Sequence, residues 1–440
     1  MKQLILAFFL VVGTVSAQAA MPGDFDPTYG NAAPGYSITP LNDMAEAFDL
    51  VLFPDGSKVT SGITVSAGVV EPVLTRYKPD GSVDFGFGVG GHAIVSGMAD
   101  APTGYTQLTM YRNQLYLLVP AGVRLYVFNY DTSGLLNAAF GTGGVRIIDV
   151  QTGNAIVDIA MQKSRIIVAA RMRNPATLER DFVLIGLRTN GALDAGFGAG
   201  GIALHSLSSG PSSTEHFTGL AIAPDYRIVA GGRSASDISV TDPYDFVVAR
   251  FLVNGGVDPS FGTTAPGFSR IDFGYNDFGR RVALYSNLQV LIAGSVCKTI
   301  DPATGESYCV IGTARVLHDG SVDPSWNGSG TQLTDLGGGG LVVTDVALDR
   351  KQRALVSHIW YRALGVDHDA GLTRYDFLGN VDSAFGAGGH GLYQFGYPLN
   401  GYHTVKVLDA TYVDTCGLTG KETAPDTFVF EMVVARHFNF

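Results

Sequence analysis

The sequence predicts an all-β protein folded as a seven-bladed β-propeller, on three observations. One segment recurs seven times. The stretches between its copies are short β-branched and aromatic runs broken by turn signals, and no amphipathic helical stretch of convincing length interrupts them. Composition agrees: 57 of 440 residues are Gly and only 16% are charged, against usual shares of about 7% and 25%. With 25 Phe and 19 Tyr the chain is no disordered polymer, and its Gly residues lack the three-residue period of collagen.

The first element is not structural. Lys2, the apolar run Leu4 to Val12 and the small-x-small site Ala17-Gln18-Ala19 read as a secretory signal peptide over residues 1–19, too short to span a bilayer. No later run is long enough either, so no membrane span is expected. Cleavage leaves 28 basic against 40 acidic residues with no Lys/Arg cluster, which argues against nucleic acid as a partner. A secreted or periplasmic monomer with one domain over 20–440 is expected.

The recurring segments are DGSVDFGFGVGG (Asp80 to Gly91), SGLLNAAFGTGG (Ser133 to Gly144), NGALDAGFGAGG (Asn190 to Gly201), NGGVDPSFGTTAPG from Asn254, DGSVDPSWNGSG from Asp319, LGNVDSAFGAGG from Leu378, and GDFDPTYGNAAPG from Gly23. Their acidic position falls at Asp26, Asp84, Asn137, Asp194, Asp258, Asp323 and Asp382, in steps of 53 to 65 residues. Each unit reads as four strands, the size of a propeller blade. The chain begins inside a unit and ends where the motif would come next. A ring closed by the N-terminal strand is therefore predicted, with residues 24–39 completing a last blade whose other strands span about 402–438.

The run R-[YF]-x-x-x-G-x-[VL]-D-x-x-F-G-x-G-G resembles the delta-sixty repeat family of bacterial exported proteins over essentially the whole mature chain. The resemblance implies a propeller-like β fold and export, and carries no single activity.

Comparison of the units assigns roles to the repeated residues. Six units end their third strand with Arg and six carry the motif Asp, and the unit lacking one lacks both, with Asn129 and Asn137 in their places. Joint loss is what a paired Arg–carboxylate contact predicts. The expected pairs are Arg76–Asp84, Arg188–Asp194, Arg250–Asp258, Arg315–Asp323, Arg374–Asp382 and, joining the chain ends, Arg436–Asp26. The motif aromatics (Phe87, Phe140, Phe197, Phe261, Phe385, Tyr29, Trp326) are read as filling between blades, with a sugar-stacking ladder as the alternative. F-G-x-G-G lacks the Lys and Ser/Thr of a phosphate loop, so the Gly residues are read as bend formers. D-G-S-x-D hints at calcium, but its first position varies between units, which suits a turn better. No cofactor or metal site is otherwise read.

Function is expected in the loops between second and third strands, short in the first two units and long from Arg171, Gly232, Ser295, Trp360 and Val413, which should wall one side of a face. Cys297 and Cys309 bracket the third long loop and are expected to form a disulfide, leaving Cys416 odd. Common serine-hydrolase, zinc-protease, thiol-redox and haem signatures are absent. The suggestive cluster is Asp367-His368-Asp369 beside Tyr361 and Arg362, with His368, Tyr361 and Arg362 as catalytic candidates; Arg171, Arg233, His216, Tyr402 and His403 join as binding candidates, and a plain solvated loop is the bland reading. Two functions stand: a binding or scaffold module for a glycan or protein, and a carbohydrate-active lyase or hydrolase using the same face.

Overall fold

The computed structural model describes residues 20–31, 34–151, 153, 157–176, 180–206, 214–235, 244–301, 306–362, 367–424 and 427–440. The signal-peptide assignment, residues 1–19, lies outside the described residues. Among the described residues there is no helix, and none long and apolar enough to cross a membrane.

After β1 (Tyr36–Thr39) the strands form sheets in simple chain order. The first holds β2 (Met44–Leu52), β3 (Lys58–Ser66), β4 (Val69–Tyr77) and β5 (His92–Ile94); the second β6 (Gln107–Tyr111), β7 (Gln114–Ala121), β8 (Arg124–Asp131) and β9 (Val145–Asp149). The third holds β10 (Asp158–Gln162), β11 (Arg165–Arg173), β12 (Arg180–Arg188) and β13 (Ile202–His205); the fourth β14 (Thr214–Ile222), β15 (Ile228–Ala235), β16 (Tyr244–Phe251) and β17 (Phe268–Ile271). The fifth holds β18 (Asn276–Leu284), β19 (Val290–Asp301), β20 (Glu306–Val316) and β21 (Thr331–Thr334). A larger sheet follows, with β22 (Leu341–Leu348), β23 (Ala354–Tyr361), β24 (His368–Tyr375), β25 (His390–Tyr393), β26 (Leu399–Val407), β27 (Tyr412–Ala424) and β28 (Thr427–Phe438), and β1 on its far edge. Its halves are joined by one parallel pair, His368 with Leu399, and β1 runs antiparallel to β28 from Tyr36–Ala435 to Thr39–Met432.

Apolar cores lie between successive sheets. One packs Leu74 and Phe87 against Leu117 and Phe128, and another sets Tyr29, Ala47 and Val73 against Cys416, Met432 and Val434. The motif rings are buried to 1% exposure or less, so they fill space between units rather than face solvent. Most turn Gly residues of the next unit lie against such a ring: a Cβ at Gly255, where φ is +85°, would meet Phe197 at 2.5 Å. One backbone hydrogen bond repeats across these contacts: Gly88 N to Ser133 O (2.7 Å), Gly141 N to Asn190 O, Gly198 N to Asn254 O, Gly262 N to Asp319 O, Asn327 N to Leu378 O, Gly386 N to Pro22 O and Gly30 N to Asp80 O (2.9 Å).

The Arg–Asp contacts are part of the same joints. Arg250 pairs with Asp258 at 2.7 Å, Arg315 with Asp323 at 2.7 Å and Arg374 with Asp382 at 2.8 Å; Arg76 reaches Asp84 at 3.3 Å. The guanidinium of Arg250 lies 4.7 Å over the Phe261 ring and donates to His318 O of the next unit. Asn137 Nδ2 donates to Asn129 Oδ1 at 2.8 Å in the unit that lacks the charges.

Two pairs differ from expectation. Arg436 does not pair with Asp26. Asp414 lies directly across the ladder from it and takes Nε at 2.8 Å and Nη2 at 2.9 Å, while Asp26 accepts from Thr28 N and Oγ1. Arg188 lies 3.7 Å from Asp194 and is 60% exposed, because Arg165, opposite it in register, takes that carboxylate at 2.6 Å. Two cations compete for one acid and the outer one is left in water.

Two of the long loops are mostly strand. β19 and β20 continue past the Cys297–Cys309 disulfide, whose residues sit opposite one another, and β27 and β28 run for 13 and 12 residues. Cys416 is therefore not a loop residue: it is a free thiol buried inside β27.

Candidate functional site

The inner strands carry the irregularity on which the site is built. β2, β14, β18, β22 and β26 each contain a bulge, and the extra residues are Phe48, Thr218, Arg280, Thr344 and His403. A bulge shifts the register by one, so an extra side chain is re-aimed and the strand bends.

Just past the bulges lies a belt of charge that bridges several sheets. Asp49 accepts from Leu108 N at 3.0 Å, Asp158 from Leu220 N at 2.7 Å, and Asp345 from Val405 N at 3.2 Å. Arg281 pairs with Asp158 at 2.8 Å and donates to Gln107 Oε1 at 2.8 Å. Lys406 stands 3.3 Å from Asp49 and 3.4 Å from Asp345. Burial opposes the Lys406 charge, but Asp345 and Asp49 outweigh it and hold the ammonium pKa above its usual value. Below the belt opens a cavity of about 690 Å³, walled by aliphatic residues such as Leu50, Met110, Ile159 and Val346. Every charge of the belt has a partner within the chain, which suits a structural role, although Asp49, Asp158, Arg281, Asp345 and Lys406 also line the cavity.

On the other side of the bulges the chemistry changes. His403 Nε2 lies 2.7 Å from Glu46 Oε1. Tyr105 meets Phe48 edge-on at 4.7 Å and His403 at 5.4 Å. Arg280 lies 5.6 Å from the Tyr105 ring centroid, and Arg233 lies 5.0 Å and 4.8 Å over Tyr244 and Phe278. The Nε atoms of Arg233 and Arg280 are buried without a hydrogen-bond partner, and no carboxylate among the described residues pairs with either. Burial lowers the pKa of both guanidinium groups, and Arg281 and Arg233 press Arg280 further down. They remain charged at neutral pH.

The residues expected from sequence distribute as follows. Tyr361 and His368 face each other at 5.6 Å where β23 meets β24, and Tyr361 couples electrostatically to Tyr105 and His368 to His403, so both border the Tyr105–His403 cluster. Burial raises the Tyr361 pKa and lowers that of His368, whose Nδ1 lies 2.7 Å from Asn400 O; at neutral pH both are uncharged. Arg362 is bound through two nitrogens to Asp369, at 2.6 Å and 3.1 Å, and its NH donates to Asp367 O. That pair closes a hairpin and leaves Arg362 engaged. Arg171 Nη1 lies 3.5 Å from His216 Nε2, and His216 meets the Tyr244 ring. Arg233 and His403 belong to the cluster of rings and cations around Tyr105, Tyr244 and Phe278, whereas Tyr402 does not. Its ring is fully buried in the core with its hydroxyl on His437 Nε2 at 2.8 Å, because the bulge at His403 turns it inward.

Sequence reading missed Glu46, Phe48, Tyr105 and Arg280. A signal existed for Arg280: Gly279-Arg280-Arg281 puts two cations inside an inner strand whose counterparts carry Phe48-Asp49, Thr344-Asp345 or His403-Thr404.

The D-G-S turns engage their own acids, as where Asp80 Oδ1 accepts from Ser82 N at 2.9 Å and Oγ at 2.7 Å. Among the described residues, Asp245, Asp272 and Asp277 bring carboxylate oxygens within 4.8 Å of one another, with Asp245 paired to Arg270.

The profile described as "Domain of unknown function (DUF5122) beta-propeller" matches residues 54–87. No curated protein matches the chain. Among solved structures it is similar to polysaccharide lyase Uly1, with a TM-score of 0.48 and 10% identity over 96% of this chain and 94% of that one. It is similar also to the Dos1 propeller, with a TM-score of 0.43 and 10% identity over 90% and 95% of the chains. For the PQQ-bound aldose sugar dehydrogenase from Streptomyces coelicolor the TM-score is 0.44, with 13% identity over 81% and 99%. The profile match and the succession of four-stranded antiparallel sheets support an all-β, propeller-type architecture.

Proposed function

We propose that residues 20–440 form one closed seven-bladed ring, and that this exported protein binds an acidic glycan at the mouth of its central channel. For the ring, the support is the repeated joint: the backbone bond found between successive units recurs from Gly386 to Pro22 and from Gly30 to Asp80, and β1 completes the half-sheet of β26 to β28. The Cys297–Cys309 disulfide suits an oxidising compartment outside the cytosol.

One observation carries the binding reading. Arg233 and Arg280 are half-buried cations, each with a buried idle Nε and no carboxylate partner among the described residues, set among the rings of Tyr105, Tyr244 and Phe278. A desolvated, unpaired guanidinium costs stability unless a ligand anion completes it, and flanking rings suit the apolar faces of a sugar. Titration calorimetry with acidic and neutral oligosaccharides tests this. Acidic ones should bind, and Arg280→Gln and Arg233→Gln should each weaken them at least tenfold. Equal binding of neutral analogues, or indifference to both variants, refutes the reading.

A second reading, a carbohydrate-active enzyme at the same mouth, is favoured by the His403–Glu46 pair in ring contact with Tyr105 and by uncharged His368 beside Tyr361. A base next to an arginine-held carboxylate is what β-elimination requires. Unsaturated products abolished by His403→Ala or His368→Ala would select the enzyme; retention without turnover selects the binding protein.

A further inference from the structure

Beside the mouth, between the first and second sheets, lies a pocket of about 290 Å³ lined by Glu46, Phe48, Ile63, Val70, Pro102 and Tyr105 among others. Resting on the reading of the mouth as an acidic-glycan site, we propose that this pocket is a second subsite, built for an uncharged sugar, so that the ligand is a chain in which acidic and neutral units alternate.

The two places share a wall. The Tyr105 ring that carries Arg280 on one side packs its neighbour Phe48 on the other, so a chain anchored by its carboxylate at the arginines enters this pocket with its next unit. The volume is near the lower end of small-ligand sites, roughly 300 Å³, which suits one sugar ring. The pocket has aromatic and aliphatic walls for the ring faces and no cationic lining residue, so a second carboxylate finds no counter-charge there; its one acidic lining residue, Glu46, is held by His403. Its rim is tied to the second sheet by contacts within the chain. Asp100 holds the segment leading to Tyr105 through Arg124 at 2.7 Å and the Tyr126 hydroxyl at 2.7 Å, and Thr103 N donates to Pro120 O at 2.9 Å. Above these two sheets the connections are short, at Gly68 and Gly122, both with positive φ, whereas β19, β27 and β28 extend for 12 or 13 residues. The chain therefore approaches over the first two sheets and ends at the arginines.

The test uses the whole mature protein and three probes in titration calorimetry: glucuronate, a hyaluronan tetrasaccharide (alternating glucuronate and N-acetylglucosamine) and tetragalacturonate (all acidic). The alternating tetrasaccharide should bind at least tenfold tighter than glucuronate, and tetragalacturonate should gain less. Val70→Trp, which fills the pocket, should return the tetrasaccharide to the glucuronate level without altering glucuronate itself; Val70→Phe serves if the Trp variant melts early. Tetragalacturonate binding as tightly as the alternating chain, or a tetrasaccharide affinity untouched by filling, overturns the proposal. Glucuronate binding that is absent, or unchanged in Arg280→Gln, refutes the reading of the mouth instead.

Discussion

Replacing Asp414 by Asn should destabilise this protein far more than the same change at Asp26. Asp414 is fully buried and is the shared partner of Arg436, at 2.8 Å and 2.9 Å, and of Lys58, at 2.7 Å. These side chains belong to β27, β28 and β3, so the carboxylate holds the first sheet to the last. Removing its charge leaves two buried cations facing each other, which costs about 3–5 kcal/mol. Unfolding entropy of about 2.1 cal/mol/K per residue over some 420 residues converts this to a Tm loss of about 3–6 °C. Among the described residues Asp26 accepts from Thr28 N and Oγ1, contacts that Asn retains through its own oxygen, so Asp26→Asn should move Tm by no more than about 1 °C. Scanning calorimetry at pH 7 measures both. The pH adds a signature: burial, countered by Asp414, holds the Lys58 pKa down to about 8. Without Asp414 it falls further, so the deficit of the Asp414→Asn variant should shrink between pH 7 and 9 as Lys58 becomes neutral in the native protein too. A larger loss from Asp26→Asn, or an Asp414→Asn loss under about 1 °C, refutes the pairing.

Other consequences follow from the same contacts. Arg280→Gln removes a half-buried cation with no carboxylate partner among the described residues and should leave the unliganded protein as stable or up to about 1 kcal/mol more stable, while weakening acidic-glycan binding at least tenfold; a lower Tm assigns Arg280 to structure. His358 and His437 are held near about 3 by burial, below their unfolded value of about 6.5. Their stabilisation is complete above pH 6.5 and is lost as pH falls toward 3, about 2 kcal/mol each at pH 5, so Tm should drop steeply between pH 6.5 and 4.5, and less steeply in His437→Gln. Cys297→Ser should release about 3 kcal/mol of constraint within the β19–β20 hairpin, read as faster proteolysis between residues 297 and 309; an unchanged cleavage rate rejects a role for the bridge in holding that hairpin.

The outer part of each unit was legible because it repeats. Arg, Asp and aromatic recur at fixed spacing, and the structure stacks them as guanidinium on ring and carboxylate, with Asn129 and Asn137 bonded where both charges are missing. Pairs failed where a competitor came from elsewhere in the chain. Arg165 and Asp414 lie outside the repeated run, and only the cross-strand registers Arg165–Arg188 and Asp414–Arg436 bring them in. The mouth was less legible for a geometric reason. A bulge flips the alternation by one residue, so Tyr402 and His403, adjacent and similar on paper, part company: one is sealed in the core and the other stands at Glu46. Loop length suggested the short-turn side, but Tyr105 and Glu46 carry no local pattern that separates them from other strand residues.

Arg280 and Arg281 provide the internal control for the functional reading. They are consecutive, on one strand, and both half-buried. Arg281 has Asp158 at 2.8 Å, Gln107 at 2.8 Å and the Thr218 carbonyl. Arg280 has the Tyr105 ring, a side-chain hydrogen bond to the same tyrosine and an idle Nε, but no carboxylate among the described residues. The chain carries 40 acidic against 29 basic residues, so carboxylates are in surplus. The fold supplies three of them to the belt one step below. An unpaired guanidinium beside a fully compensated one therefore reflects where the chain places its acids and not how many it has. On the proposed reading the anion that completes Arg280 comes from outside the chain, so the loss of binding and the gain or constancy of Tm in Arg280→Gln should appear together.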